Sequence, residues 1–352
     1  MTVSSGPASG LAYQVRREPP GAPGAEALHV LARTWASPPD RKRMAWRYEA
    51  NPDGPAVTWT VREPAKGMVV GVTAVLPRRV VVEGRVRRAW IGADFSILPE
   101  YRTLGIAVQL RRAAREAIDA GEADFLLAFP NEPMKLIHER AGHVRVARLV
   151  RMALPLTAAA YLERATGSRT MAAILRPGAD LLLRALSPSV SPGPLVISEE
   201  SPPRFDDRFE VLFHRATAMH RAIGVRDAAY LQWRYDAPGG VHGLLAMNGD
   251  RLAGYLLFTV RRGTVDVVDL LEDGESGATR ALLGALFQRA RGAGLTGLSI
   301  VVADRHPALG ALRALRFTRR AEGGEVFGYA PQRDGLRSVL GGWYLTVGDR
   351  DV

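Results

Sequence analysis

A short sequence that occurs twice constrains this chain more than any other feature. Trp46-Arg47-Tyr48-Glu49-Ala50-Asn51-Pro52 recurs as Trp233-Arg234-Tyr235-Asp236-Ala237-Pro238. Each copy follows a helical pattern and precedes a strand pair, a long amphipathic helix and a short apolar strand. In the second half these fall at 243–247 with 251–260, 278–291 and 298–302. Each series then reaches a Pro-containing helix start, Glu132-Pro133 in one half and His306-Pro307 in the other. The same order at similar spacing predicts a duplicated unit. A length of 352 residues suits two units of roughly 150 residues. The Pro/Ser run at 187–194 reads as punctuation between them. The expected division is a loose tail at 1–12, a first unit at 13–155, a helical and Pro-rich connection at 156–194, and a second unit at 195–352.

Charge narrows the partners. Lys and Arg total 47 against 36 Asp and Glu, a net charge of +11. Such a balance suits nucleic acid, an anionic surface or anionic ligands. The positive residues are mostly Arg and are spread along the chain. No block of five or six like charges, zinc-finger spacing or RNA-binding aromatic motif appears, so no nucleic-acid partner is expected. The absence of cysteine excludes disulfides, thiolate metal ligands and a cysteine nucleophile, and no metal is expected. The first ten residues lack the charged and apolar regions of a signal peptide. No run of about 18 uncharged apolar residues predicts a membrane span. The chain reads as cytoplasmic.

The clearest helix runs from 106 to 118. Ile106, Ala107, Leu110, Ala113, Ala114, Ala117 and Ile118 form one apolar stripe, with Arg111, Arg112, Arg115 and Glu116 opposite. Before it, 80–82 and 86–91 read as a hairpin about Glu83-Gly84-Arg85, and 93–97 as a strand. After it, 124–129 is a continuous apolar strand of the kind buried on both faces. Asn131 caps a further short helix with Pro133 in its first turn, and 144–155 reads as a strand.

Strand, then Tyr101-Arg102-Thr103-Leu104-Gly105-Ile106-Ala107, then helix, is a pattern with chemistry in it. A helix N-terminus offers unpaired N–H groups and the positive end of the dipole, which together attract anions. Gly105 permits close backbone approach, and Arg102 adds a charged fork for phosphate.

The stretch from Asp94 through Ala107 resembles motif A of the GCN5-related N-acetyltransferase (GNAT) superfamily, a strand, then V-x-P-x-Y-R, then (R/Q)-x-x-G-x-(G/A) and a helix. Asn131 followed by Leu136-Ile137-His138-Glu139-Arg140-Ala141-Gly142-His143 resembles motif B. The resemblance covers roughly 13–155. It implies an α/β fold of two GNAT-like domains, each a mixed, splayed sheet flanked by helices, the second degenerate. It implies acetyl-CoA as co-substrate, with main chain at Arg102, Thr103, Leu104, Gly105, Ile106 and Ala107 on the pyrophosphate. Phe95, Ser96 and Ile97 would pair with the pantetheine arm, and Asn131 would lie at the cofactor. An acceptor amine would attack the thioester directly. His138 stands where many relatives carry a tyrosine that protonates the leaving thiolate, and Asp94 and Glu100 are the nearest acids for a base. His143 stands where packing is the usual role.

In the second half the matching stretch carries Glu272, Asp273 and Glu275 and lacks the Arg, which disfavours a pyrophosphate. That half either binds the acceptor or completes the fold. The two Trp-Arg-Tyr copies either stack on a sugar or nucleoside or anchor the edges of the domains. The leading expectation is an N-acetyltransferase for a small amine or amino sugar. The alternatives are a Fem-type aminoacyl transferase, which alone would bring in tRNA, and a non-catalytic acyl-CoA sensor.

Overall fold

The computed structural model describes residues 13–37, 39–185, 193–236, 240–331 and 342–350. The expected tail at 1–12 and most of the Pro/Ser run lie outside them. The first half runs β1 (Gln14–Arg17), α1 (Ala25–Thr34), α2 (Arg41–Tyr48), β2 (Val57–Arg62), β3 (Val69–Val82), β4 (Arg85–Ile97), a 3-10 turn at Pro99–Tyr101, α3 (Leu104–Asp119), β5 (Phe125–Ala128), α4 (Glu132–Arg140) and β6 (Val144–Pro155). Helices α5 (Ala159–Thr166) and α6 (Arg169–Ala185) follow. The second half runs β7 (Val196–Glu200), α7 (Asp207–Thr217), β8 (Ala222–Gly224), α8 (Ala228–Tyr235), β9 (His242–Asn248), β10 (Arg251–Arg261), β11 (Thr264–Glu272), α9 (Ala278–Gly292), β12 (Gly297–Ala303), α10 (Leu309–Ala314), β13 (Thr318–Tyr329) and β14 (Trp343–Tyr344).

One mixed sheet joins the halves, in the order β1-β2-β3-β4-β5-β13-β6-β12-β11-β10-β9-β7. The halves exchange their closing strands. Strand β13 of the second half lies beside β5, while β6 of the first half lies beside β12. A second link is β8, which pairs with β3 at Val80–Val82. Pro77 sits inside β3 without breaking it. It falls where the outer edge of β3 has left β2 and has not yet met β8, so no neighbour there needs its missing N–H.

Apolar stripes bind the helices to this sheet. Ile106, Leu110, Ala114 and Ile118 of α3 are buried against β2–β5 with Val30 and Leu31 of α1. Leu282, Leu283, Leu286 and Phe287 of α9 do the same on β10–β12. Arg111 departs from expectation. It lies on the nominally polar side of α3 and yet is buried, with its guanidinium 4.9 Å from the Phe95 ring centre. The stripe therefore does not define the whole buried face.

The repeated sequence forms the ends of α2 and α8. Trp46 and Trp233 stack with ring centres 5.3 Å apart. Each indole N–H donates to the other residue's carbonyl, at 2.7 and 2.8 Å. Tyr48 and Arg47 turn inward to Asp94, and Arg234 to the carbonyls of Val347, Gly348 and Arg350. The copies clasp the halves together about a local twofold. No described helix is long and apolar enough to cross a membrane.

Candidate active site

Strands β4 and β5 are parallel and pair only at Ala89–Phe125, Trp90–Leu126 and Ile91–Leu127. Beyond that point they diverge into a V. Gly92 stands at its apex. A side chain there would meet Arg111 Nη1 at 3.0 Å and Ala128 Cβ at 3.4 Å, so the apex is narrow and its floor is cationic. On its other side β4 carries a bulge, where Ser96 pairs with Val72 and Ala93 with Ala74. Asp94 occupies the bulge at φ 45°, a region that Asp tolerates better than most residues. Past the bulge, main chain at Phe95, Ser96 and Ile97 has β3 on one side and the open V on the other.

Strand β4 ends in the 3-10 turn, which delivers the chain to α3. Arg102 folds back, its Nε donating to the Ile97 carbonyl at 3.1 Å. Thr103 is the N-cap and accepts from the Ile106 N–H at 3.4 Å. A side chain at Gly105 would meet no atom within 4 Å. Glycine costs about 1 kcal/mol relative to alanine inside a helix, and among the described residues no contact requires it here. Its use fits a partner that comes close to the backbone from outside. The residues Arg102, Thr103, Leu104, Gly105, Ile106 and Ala107 thus form a helix start with room for an anion.

The acid–base candidates lie in different surroundings. Asp94 is half-buried, its side chain 7% exposed, and both its oxygens are engaged, by Arg47 Nη1 at 2.8 Å and by the Tyr48 hydroxyl at 2.5 Å. This pairing makes it an anchor of the bulge instead of a free proton acceptor. Glu100 lies in solvent and pairs with Arg33 at 2.9 Å. Backbone hydrogen bonding and Arg33 hold its carboxyl below the usual range. His138 is 1% exposed, on α4, edge-on to His143 at 4.7 Å. Burial, with Arg111 and His143 nearby, pushes its ring far toward the neutral form. Burial first and Arg111 second bring His143 down to about 3. A neutral imidazole is a poor proton donor to a thiolate. Asn131 caps α4, accepting from the Met134 N–H at 3.3 Å. Among the described residues, no hydrogen bond joins His138 to Asp94 or Glu100.

Sequence reasoning missed several residues here. Arg111 sits beneath Gly92, Phe327 and Tyr329 of the exchanged β13 lie against His138 and His143, and Arg350 lies over Phe129 at 5.9 Å. Nothing in the sequence set Arg111 apart from Arg112 and Arg115 on the polar side of the helix. The others depend on strand exchange.

The second half closes the equivalent places with its own side chains. The Thr279 N–H at the start of α9 is taken by Glu272 Oε2 at 2.8 Å. Asp273 accepts from the N–H groups of Glu275 and Ser276, each at 3.2 Å. Strands β11 and β12 pair at 264–267 with 297–300 and then part. The gap is filled by β14 and the residues after it. Ala303 N–H donates to the Leu345 carbonyl at 3.1 Å, and the Tyr344 hydroxyl donates to the Leu270 carbonyl. From β5 to β12 the sheet reverses direction three times, so the two V-shaped openings face opposite edges.

No protein-family model and no curated protein matches the sequence. Solved structures match its fold. A conserved protein of unknown function from Enterococcus faecalis V583, described as a probable N-acyltransferase, is 11% identical, covering 92% of this chain and 74% of its own, at TM-score 0.66. A GCN5-related N-acetyltransferase from Anabaena variabilis ATCC 29413 is 12% identical, covering 90% and 73%, at 0.63. Saccharomyces cerevisiae N-myristoyltransferase with bound myristoyl-CoA is 11% identical, covering 93% and 81%, at 0.57.

Proposed function

The chain carries the fold of the GCN5-related N-acetyltransferases, doubled, and on that premise we propose that it is an N-acyltransferase using acyl-CoA in its first half. The observation that carries the reading is the V between β4 and β5, with an open helix start at its mouth. In this reading Arg102 and the N–H groups of Thr103, Leu104 and Gly105 hold the pyrophosphate, with the dipole of α3 behind them, while those of Ile106 and Ala107 are turned to Thr103. The pantetheine arm pairs with Phe95, Ser96 and Ile97 as an added strand. The acceptor nitrogen forms a bond to the thioester carbon, the carbon–sulfur bond breaks, and the thiolate leaves to be protonated by solvent. Glu100 remains the proposed base. Asp94 positions the bulge, and His138 shapes the floor.

Acetyl is the proposed acyl group. The guanidinium of Arg111 beneath Gly92 offers no apolar channel for a long chain at the apex. The acceptor is a small amine or amino sugar, and the proposed location is the cytoplasm. Thiol release with acetyl-CoA across an amine panel, with myristoyl-CoA as the comparison, tests the reaction. Amine-dependent release with acetyl-CoA is expected. A second reading, an acyl-CoA binder without turnover, is favoured by the engagement of Asp94 and the neutrality of His138. Binding without thiol release would select it.

A further inference from the structure

At the opposite edge of the sheet, beyond the ends of β11 and β12, lies a cavity of about 450 Å³. Its walls include His220, Arg221, Arg305, His306, Trp343 and Tyr344. We infer that this cavity is a binding site for a small oxyanion, a carboxylate or a phosphate, with the Nε2–H of His306 as its central donor.

The argument begins with a tautomer. His306 is 3% exposed, and its Nδ1 accepts from the Ala308 N–H at 3.1 Å. An accepting Nδ1 carries no hydrogen, so the hydrogen of the neutral ring sits on Nε2. Burial, with the charges of His220 and Arg226, lowers the ring to about 3, so Nε2 remains a neutral donor near pH 7. Among the described residues that donor has no acceptor. A buried donor left without a partner is costly, and one on a cavity wall calls for an acceptor from outside.

Charge identifies the acceptor's class. Arg305 and Arg221 stand at the cavity, Arg221 also reaching Glu83 at 3.2 Å. The carboxylate on the wall, Glu272, is committed to the Thr279 N–H. With Glu83 engaged by Arg221 and Glu272 turned to the Thr279 N–H, Arg305 is the cation that an anion would meet there. Tyr344 lies between His220 and His306, with ring centres at 4.4 and 4.2 Å, so a flat, largely apolar surface adjoins the donors. The volume suits a small metabolite. None of this depends on acyl-CoA binding in the first half.

The test uses the full chain labelled with nitrogen-15. The His306 imidazole signals are followed while sodium phosphate, sodium acetate or sodium chloride is added at matched ionic strength. A saturable shift of the Nε2–H in the phosphate or acetate arm, absent with chloride, is expected, and the arm that saturates first names the ligand's chemistry. His306→Asn keeps an acceptor for the Ala308 N–H, and its shorter amide places no donor where Nε2–H stood. Calorimetry should show it weakened by roughly tenfold or more, as for a lost hydrogen bond to a charged group, while Gly105→Glu leaves this binding unchanged. No shift, equal shifts in all three arms, or undiminished affinity in His306→Asn would overturn the proposal. If His306→Asn does not fold, the three arms on the unmodified chain decide the matter.

Discussion

Single residues carry the difference between an open anion site and a filled one. Arg102 is tethered through Nε to the Ile97 carbonyl, which leaves the end of its guanidinium for phosphate. Arg102→Ala should weaken coenzyme A by about 1.5–3 kcal/mol, the range for a charged hydrogen bond. Shortened pantetheine analogues without the pyrophosphate should lose nothing, and an equal loss for both ligands would put Arg102 elsewhere. The histidines carry a second prediction. His143 and His306 lie near 3 and His220 near 4, each lowered chiefly by burial, against about 6.5 in the unfolded chain. The unfolded chain therefore takes up protons first, so stability is fully present above about 6.5 and falls as the pH drops toward 3. Melting temperatures should decline between about pH 6.5 and 5, above the carboxylate range, and His143→Phe should flatten that decline. A flat profile in the unmodified chain would mean that these rings are not buried neutral. Motif A was legible at this scale because it is contiguous and local. The surroundings of Asp94 and His138 were not, because Arg47, Tyr48 and Arg111 approach them from other elements.

Elements explain why the two halves differ. The helix stripes and the turn residues predicted most of the strands and helices, and Pro177 is accommodated inside α6. Periodicity carried no sign that the residues after β14 would fill the gap between β11 and β12. Those residues are held by a buried network. Arg226 donates to Asp349 at 2.6 Å and to both oxygens of Asp269 at 3.2–3.3 Å, while Tyr255 and Thr346 also donate to Asp269. Asp349→Ala leaves Arg226 paired with Asp269 but removes its shortest contact and the cap on the Thr346 N–H. It should lower unfolding stability by about 1.5–3 kcal/mol, the range for a hydrogen bond to a charged group, and open residues 343–350 to protease. Unchanged denaturant midpoints and unchanged proteolysis would show that the segment is held by something else.

At the scale of the molecule, duplication was legible from the repeated Trp-Arg-Tyr, and the exchange of β6 and β13 was not. Exchange depends on which edge a strand finds after the chain has turned, and no local pattern records it. Its consequence is one sheet with two openings on opposite edges, the first an open V and the second narrowed by β14 and the residues after it to the cavity beside His306. The central claim is that only the first half holds acyl-CoA. Calorimetric titration with excess acetyl-CoA measures this most directly, on the unmodified chain and on Gly105→Glu, which places a side chain and a negative charge at the head of α3. The account predicts one site that falls to none in the variant. Two sites, or one site that survives the substitution, would contradict it.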